Sequence, residues 1–344
     1  MATGKNIFKE KRFHNEEAAR VWFEAARWPN GPNCPHCGSL KHYATKKAGR
    51  YRCGEKECRK DYTVMTKSVM ERSHAKLAQW AMAFQLYASS KKGFTAMQLQ
   101  RHLGCEYNTA WFLHHRVMEA MRRGGLDLAP MGGPGKVVEV DEAYHGKTAE
   151  QTVSRQRMGR PYIKQGSSHG PRNKRAIVSL VERGGNVRSF HVPTCDAETV
   201  AKIVRENVHR ESRLHTDESR LYPVVGREFA AHETINHSAK EYARGDVTTN
   251  TVEGFFSIFK RGMRGNYQHC AEKNLHRYLA EFDFRYCTRT LRIVNVRSLR
   301  FAVVKASASR IVNLIKPDFS YQAKRFMRWR AKLPPRKVKR IWCR

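Results

Sequence analysis

The fold is decided by the stretch Val137-Val-Glu-Val-Asp-Glu-Ala-Tyr144, in which valines are interleaved with acids. Its valines favour a β-strand. The two-residue period of a strand places Glu139 and Asp141 on one face and Glu142 on the other. A carboxylate inside an apolar strand is costly unless it binds something, and a salt bridge or a cap is the commoner reason for a single one. The stretch therefore predicts an α/β core with an acidic site on this strand.

The residues that follow supply the rest of this core. A hairpin is predicted over residues 176–181 and 187–192, because two β-prone runs flank the turn Glu182-Arg-Gly-Gly-Asn186. A helix over 197–208 leads to a short strand that ends at Asp217, after Leu214-His-Thr. Asp217 is thus a second acid at a strand end, and helices are expected over 252–264 and 272–286.

The first of these two helices carries a third acid. At 100° per residue, one sector holds Asn250, Glu253, Ser257, Lys260 and Arg264, whereas five apolar side chains centre on the opposite side. A solvated face would also produce this stripe. Two carboxylates from strand ends and one from a helix can, however, hold two divalent ions.

Upstream, the chain shows a helical unit before a Gly- and Pro-rich linker at residues 130–135. Helices are predicted from Lys76, over 96–103 and over 109–122, with Gly104 as the turn between the last two. This layout is typical of a helix-turn-helix, whose second helix enters the major groove. Asn108, Thr109 and His114 would then contact DNA, although a plain packing role for the helices stays open.

Four cysteines, Cys34, Cys37, Cys53 and Cys58, form two closely spaced pairs near the start of the chain. Four thiolates bind zinc tetrahedrally, and a small module with few large apolar residues needs that bond energy to fold. The sequence therefore predicts structural Zn²⁺ at these cysteines. His36 and His42 lie close by and can replace a thiolate.

The charge of the chain indicates its partner. It has 344 residues, and 65 Lys and Arg against 31 Asp and Glu give a formal net charge of +34. Nucleic acid is the commonest polyanion that neutralises such a charge, although charge alone does not choose between DNA and RNA. No apolar run of about 18 residues suits a membrane span. With an odd count of 9 cysteines, we expect a soluble intracellular protein with reduced thiols and no membrane partner.

Several long motifs, in a fixed order between about residues 13 and 286, carry a resemblance to a known family. They are Arg27-Trp-Pro-Asn-Gly with Cys34-Pro-His-Cys-Gly38, Glu139-Val-Asp-Glu-Ala-Tyr-His-Gly-Lys147, His215-Thr-Asp-Glu218, Asn250-Thr-Val-Glu-Gly-Phe-Phe-Ser-Ile-Phe-Lys-Arg-Gly262, and Leu275-His-Arg-Tyr-Leu with Glu281-Phe-Asp-Phe-Arg-Tyr286. In these motifs the chain resembles the bacterial insertion-sequence transposases of the zinc-ribbon DDE type, the ISXO-type family.

The resemblance implies a ribonuclease H-like catalytic core preceded by a zinc ribbon and a helix-turn-helix-like unit. Its catalytic triad is Asp141, Asp217 and Glu253, which bind Mg²⁺ or Mn²⁺, and Lys260 takes the place of the basic residue after the third acid. Some relatives carry Asn as the third residue, so Asn250 stays an alternative to Glu253. Arg261 and Arg264, on the same helix, are expected to contact DNA.

The expected reaction is strand cleavage at the ends of an insertion sequence, followed by joining to target DNA. The expected partners are double-stranded DNA, both terminal repeats and target, and further copies of the chain on that DNA, in the cytoplasm at the bacterial nucleoid. Four domains are predicted: residues 13–66, 74–124, 135–290 and a basic tail over 291–344. Two rivals remain, a non-catalytic DNA-binding protein and an RNA-binding protein.

Overall fold

The structure is a computed structural model, and it describes residues 7–90, 93–122, 129–148, 155–157, 160–162 and 173–287, apart from residues 240 and 242. These residues form two compact units, one ending at Gln85 and one beginning at Leu86. The predicted basic tail over 291–344 lies outside the described residues.

The first unit combines helices with a small antiparallel sheet. Helix α1 begins after Asn15, whose side chain accepts a hydrogen bond of 2.9 Å from the amide of Ala18. The remaining elements are the 3₁₀ turns Ile7–Lys9 and Lys11–Phe13, α1 (Glu16–Arg27), the strands β1 (His42–Ala44), β2 (Arg50–Cys53) and β3 (Asp61–Thr63) in the order β1-β2-β3, and the start of α2 (Leu77–Ser89). Its core is aromatic, because Phe23, Tyr62, Trp80 and Phe84 are all buried.

The second unit contains helices on both sides of a five-stranded sheet. Its helices are α3 (Ala96–Leu103), α4 (Tyr107–Met121), α5 (Ala197–Asn207), α6 (Pro223–Gly226), α7 (Asn250–Gly262) and α8 (Leu275–Cys287). Its strands are β4 (Val137–Lys147), β5 (Arg155–Arg157), β6 (Arg160–Tyr162), β7 (Lys174–Glu182), β8 (Val187–Val192), β9 (Arg213–Asp217) and β10 (Ala231–Ile235). Short turns complete it: His237–Ala239 and Glu272–Asn274 are 3₁₀, and Met263–Tyr267 is π-helical.

The large sheet has the strand order β10-β9-β4-β7-β8, and β5 and β6 form a two-stranded sheet. Strand β4 is central. It pairs antiparallel with β7 and parallel with β9, while β8 is antiparallel to β7 and β10 is parallel to β9. The predicted ribonuclease H-like α/β fold is confirmed.

The two faces of β4 meet different helices, because alternate side chains point in opposite directions. Val138 and Val140 join a buried apolar cluster with residues of α5 and α6, such as Val200 and Val225. The opposite face of the sheet packs against α7 and α8. The Phe side chains predicted to be buried on α7, at positions 255, 256 and 259, are indeed 3% exposed or less.

Helix α4 packs along α8 within the second unit. The Glu119 carboxylate is 3.2 Å from Nε of Arg277, and both side chains are nearly buried. The predicted helix-turn-helix pair is present as α3 and α4, joined at Gly104, which has the left-handed backbone φ of 57° that glycine accepts most easily. One face of α4 is therefore buried against α8 in the protein interior.

Candidate functional site

The first two acids of the predicted triad meet where the parallel pairing of β4 with β9 ends. In the parallel ladder, Glu139 of β4 lies opposite His215 of β9. The ladder ends there, and two residues further along each strand lie Asp141 and Asp217, whose carboxylate oxygens are within 4.8 Å of each other. Ligands commonly bind outside the carboxyl ends of strands in α/β sheets. Asp217 is the last residue of β9, and Asp141 lies beside it on the longer strand β4.

A third carboxylate, Glu142, joins them from the other face of β4, as the alternation predicts, since its partner Tyr222 belongs to the buried cluster of Val138 and Val140. Carboxylate oxygens of Asp141, Glu142 and Asp217 all lie within 4.8 Å of one another. The Glu142 side chain ends beside Tyr222, whose buried hydroxyl donates a hydrogen bond to its Oε2. An all-oxygen group of this kind fits a hard divalent cation such as Mg²⁺ or Mn²⁺.

The electrostatics of this group also favour a cation. Burial, followed by the negative charges of Glu142 and Asp217, raises the pKa of Asp141 to about 7. Burial likewise raises the pKa of Asp217 and that of Glu142. Three acids that are costly to ionise together gain from a bound divalent ion, which neutralises their mutual repulsion.

Glu253, the predicted third ligand, lies in the first turn of α7 and outside the group of three. Its Oε1 accepts a hydrogen bond of 2.9 Å from the Thr249 hydroxyl and is 3.4 Å from Nε2 of His237. Its charge nevertheless contributes to raising the pKa of Asp141. Asn250 is the first residue of α7 and is exposed.

Glu139 has a role at the start of α7 that sequence reasoning missed. Its carboxylate is completely buried and accepts hydrogen bonds from the amides of Thr251 and Val252, at 2.8 and 3.0 Å. Arg183, just after β7, donates to the same carboxylate at 2.8 Å. The sequence indicates that an acid on an apolar strand needs a partner, because burying an unpaired carboxylate is costly. It does not indicate which residues are that partner.

Of the basic residues predicted for this helix, Lys260 and Arg261 lie in α7 and Arg264 lies in the π-helical turn that follows it. Arg261 and Arg264 are exposed. Lys260 is half-buried, with its Nζ 5.9 Å from the centre of the Phe256 ring. Burial and the positive charges of Arg175, Arg264 and Lys260 lower the pKa of His145, which stacks edge-on against Phe259. The end of β4 is therefore surrounded by positive charge.

The four predicted zinc ligands converge in the first unit. The sulfur atoms of Cys34 and Cys58 are 3.8 Å apart, and those of Cys37 and Cys53 are 3.5 Å apart. Four thiolates around a tetrahedral zinc ion, each at about 2.3 Å, would be separated by about 3.8 Å. The site fits zinc, and the four cysteines form the group without His36 or His42.

The predicted DNA contacts of the helical pair are divided by burial. Asn108 is exposed and Thr109 is half-buried at the start of α4. His114, in contrast, is only 3% exposed and hydrogen-bonds the Tyr87 hydroxyl, so its predicted contact with DNA is wrong. Burial lowers the pKa of His114 to about 3. The ring is therefore neutral near pH 7 and faces the interior, so it cannot form an ion pair with a DNA phosphate.

The fold and the site together define a ribonuclease H-like domain with clustered carboxylates, in a chain that also carries a four-cysteine ribbon. An ISXO2-like transposase domain matches residues 132–286, and a transposase zinc-ribbon domain matches residues 14–61. Together these matches cover more than half of the chain. The chain belongs to the transposase family that these two domains characterise.

Individual relatives are more distant. An uncharacterized transposase-like protein of Haemophilus influenzae is 28% identical over 95 residues, which cover 28% of this chain and 76% of the relative. Two solved structures, the Mos1 strand transfer complex and the Mos1 transposase paired-end complex with left transposon end, are each 12% identical. Both cover 67% of this chain, with 77% and 78% of their own chains and TM-scores of 0.22 and 0.21.

In the part of the chain that the structure describes, no helix is both long and apolar enough to cross a lipid bilayer.

Proposed function

We propose that this transposase is a DDE-type enzyme that cuts the ends of an insertion sequence and joins them to target DNA. Asp141, Asp217 and Glu253 act as the ligands of two divalent ions, Mg²⁺ or Mn²⁺. The observation that carries the proposal is the meeting of Asp141 and Asp217 on adjacent parallel strands, beside Glu142. The formal charge of +34 supports a nucleic acid as the substrate, and the match to a transposase domain favours double-stranded DNA.

The acidic side chains bind the metal ions, and the basic and polar side chains bind DNA. When bound, the two ions would activate the attacking oxygen and stabilise the leaving one. Asp141 and Asp217 hold the site rigidly, because both belong to paired strands of the sheet. Lys260, Arg261 and Arg264 orient the scissile phosphate, and Asn108 and Thr109 contribute to binding the element's ends. No side chain needs to form a covalent intermediate with DNA, since positioning and charge stabilisation suffice.

The proposal extends to the organisation of the protein. Residues 13–66 form the zinc-ribbon domain, 74–124 the helix-turn-helix-like unit, 135–290 the catalytic domain and 291–344 a basic tail. The protein acts on DNA as a homo-oligomer in the cytoplasm, at the nucleoid. Asn250 remains the alternative third ligand.

The deciding experiment uses the full-length chain and labelled DNA from both flanks of its own gene. We expect cuts at defined positions that require Mg²⁺ or Mn²⁺ and disappear with Asp141→Asn and with Asp217→Asn. The matched control is Asp196→Asn, an exposed cap of α5, which should cut normally. Tight DNA binding without cutting at any divalent ion concentration would favour a non-catalytic DNA-binding protein. Tighter binding to RNA than to DNA in a competition experiment would favour an RNA-binding protein.

A further inference from the structure

The start of α7 is held by a residue of the central strand and not by its own cap. The first amides of any helix lack partners inside that helix. Thr249, at the cap position, makes no side-chain capping bond. The Glu139 carboxylate instead accepts from the amides of Thr251 and Val252, and from the Thr251 hydroxyl at 2.8 Å. A negative charge at this end also suits the helix dipole.

Arg183 holds the chain just before α7 from the other side. Its guanidinium donates to Glu139 Oε1 through Nε and Nη2, at 3.1 and 2.8 Å. The same group donates to the carbonyl oxygen of Asp246 at 2.8 Å and to that of Thr248 at 3.3 Å. Arg183 thus donates to carbonyl oxygens before the helix, and Glu139 accepts from amides in its first turn. The ion pair therefore holds both ends of the segment 246–252.

This anchor is connected rigidly to the metal-binding carboxylates. Glu139 lies two residues before Asp141 on β4, which is about 7 Å along a strand. The strand is paired on both sides at Glu139, with Val181 of β7 and His215 of β9. Glu253 lies one residue beyond Val252. A short, buried path therefore joins the strand that carries Asp141 to the helix turn that carries Glu253.

We propose that Glu139 and Arg183 are positioning residues, which set the distance of Glu253 from Asp141 by fixing the start of α7 against β4. This proposal rests on the proposed function, in which Glu253 is a metal ligand. Metal sites lose affinity when the residues that orient their ligands are changed, commonly about tenfold or more. A buried ion pair often adds little to stability, because apolar replacements of similar size are commonly tolerated. A positioning role therefore explains the buried pair of Glu139 and Arg183 better than stability alone.

The test measures Mn²⁺ binding to the full-length, zinc-loaded chain without DNA, by the electron paramagnetic resonance signal of free Mn²⁺. We expect Glu139→Gln, which is isosteric, to raise the Kd of the weaker Mn²⁺ site about tenfold. Glu253→Gln should raise the same Kd at least as much. The double variant should bind no worse than Glu253→Gln alone, because Glu139 acts only through Glu253.

The matched control is Glu182→Gln, which changes an acid next to Arg183 that pairs with Lys136 and not with α7. It should leave both Mn²⁺ affinities unchanged. If Glu139→Gln does not fold, Thr251→Val replaces it in the test. This substitution removes the hydroxyl that donates to Glu139, while the hydrogen bonds from the backbone amides of Thr251 and Val252 to Glu139 remain. It should raise the same Kd by a smaller factor.

The possible results separate the two levels of inference. Weaker Mn²⁺ binding in Glu253→Gln but not in Glu139→Gln overturns the positioning role and leaves the ligand assignment intact. Losses that add in the double variant also overturn it, since they indicate independent effects. Unchanged binding in Glu253→Gln overturns the ligand assignment, and the positioning role with it.

Discussion

At the scale of single residues, Asp141 is the most perturbed acid of the candidate site. Its carboxyl group is surrounded by two other carboxylates and is largely removed from water, and both effects favour the protonated form. In the metal-free protein it therefore titrates near neutral pH, whereas an exposed aspartate is ionised well below pH 5. Metal binding and proton release at this residue are thus coupled.

We predict that Asp141→Asn stabilises the metal-free chain at pH 8 but not at pH 4. The pKa is about 7 when folded and about 3.9 when unfolded. The stability due to this group is therefore fully present below about pH 4 and is lost as pH rises through 7. Thermal unfolding without added Mg²⁺ or Mn²⁺, and without chelators that would strip zinc, provides the measurement.

Asp196→Asn is the matched control for this prediction. Asp196 is exposed, and hydrogen bonds from Thr199 lower its pKa, so its replacement should give no gain at pH 8. A Tm of Asp141→Asn that stays at or below that of the unmodified chain at pH 8 would contradict the assigned burial.

A second prediction at this scale separates the two sides of α4. His114→Ala should lower the free energy of unfolding by about 3 kcal/mol, because it removes a buried ring. Asn108→Ala, at an exposed position, should leave stability unchanged and weaken binding to the DNA flanking the gene. Chemical denaturation and a DNA-binding titration of the full chain measure both effects. A stable His114→Ala protein with selectively weakened DNA binding would return His114 to the DNA interface.

At the scale of elements, α7 combines a buried aromatic face with an exposed face of opposite charges. Glu253 is in its first turn and the basic residues Lys260 and Arg261 are in its last. This order agrees with the helix dipole at both ends. The helix can thus present a carboxylate toward β4 and cations toward a phosphate without any loss of packing.

We predict that Glu253→Gln abolishes divalent-ion-dependent DNA cutting, while Asn250→Asp keeps most of it. A carboxylate binds Mg²⁺ much better than an amide does. Asn250 is exposed and the amides of the first turn are already bound by Glu139, so a new acid there disturbs little. Cutting is measured on the DNA flanking the gene, with Tm as the check on folding. Efficient cutting by Glu253→Gln, together with none by Asn250→Asp, would make Asn250 the ligand.

At the scale of the whole molecule, the chain divides into two compact units that are stabilised in different ways. The sheet unit has a large apolar core between its strands and helices. The ribbon has three strands of three or four residues each, with largely exposed β1, which is too little for independent stability. We infer that the ribbon depends on the bond energy of zinc.

We therefore predict one zinc ion per chain and a local effect of its removal. Cys53→Ser with Cys58→Ser should abolish zinc binding in elemental analysis and unfold the ribbon. Hydrogen exchange should then accelerate in β1–β3, while the strands of the large sheet stay protected. Cys105→Ser, outside the cluster, is the control and should retain the full equivalent of zinc. A full equivalent in the double variant would show that the ligands are misassigned.

Local patterns in the sequence predicted most elements of this protein and part of its site. Helix α3 has the predicted bounds, the hairpin β7–β8 and helix α5 differ from prediction by two residues or fewer, and strand β9 ends at Asp217 as predicted. These elements follow from hydrophobic periodicity and turn residues, which act over a few positions. The cysteine cluster was also readable, because ligand spacing within each pair is local. Strand β10 was missed, since its residues Ala231–Ile235 show little apolar alternation.

Tertiary structure alone decided which polar groups meet. Glu139 reaches the amides of α7 across more than a hundred positions, Glu142 turns toward Asp141 and Asp217 beside Tyr222, and His114 is buried between α4 and its neighbours. Periodicity gives the direction of a side chain from its own element but not what the folded chain brings opposite it. The partner of a buried charge is set by sheet register and helix packing, and these form only when distant segments come together.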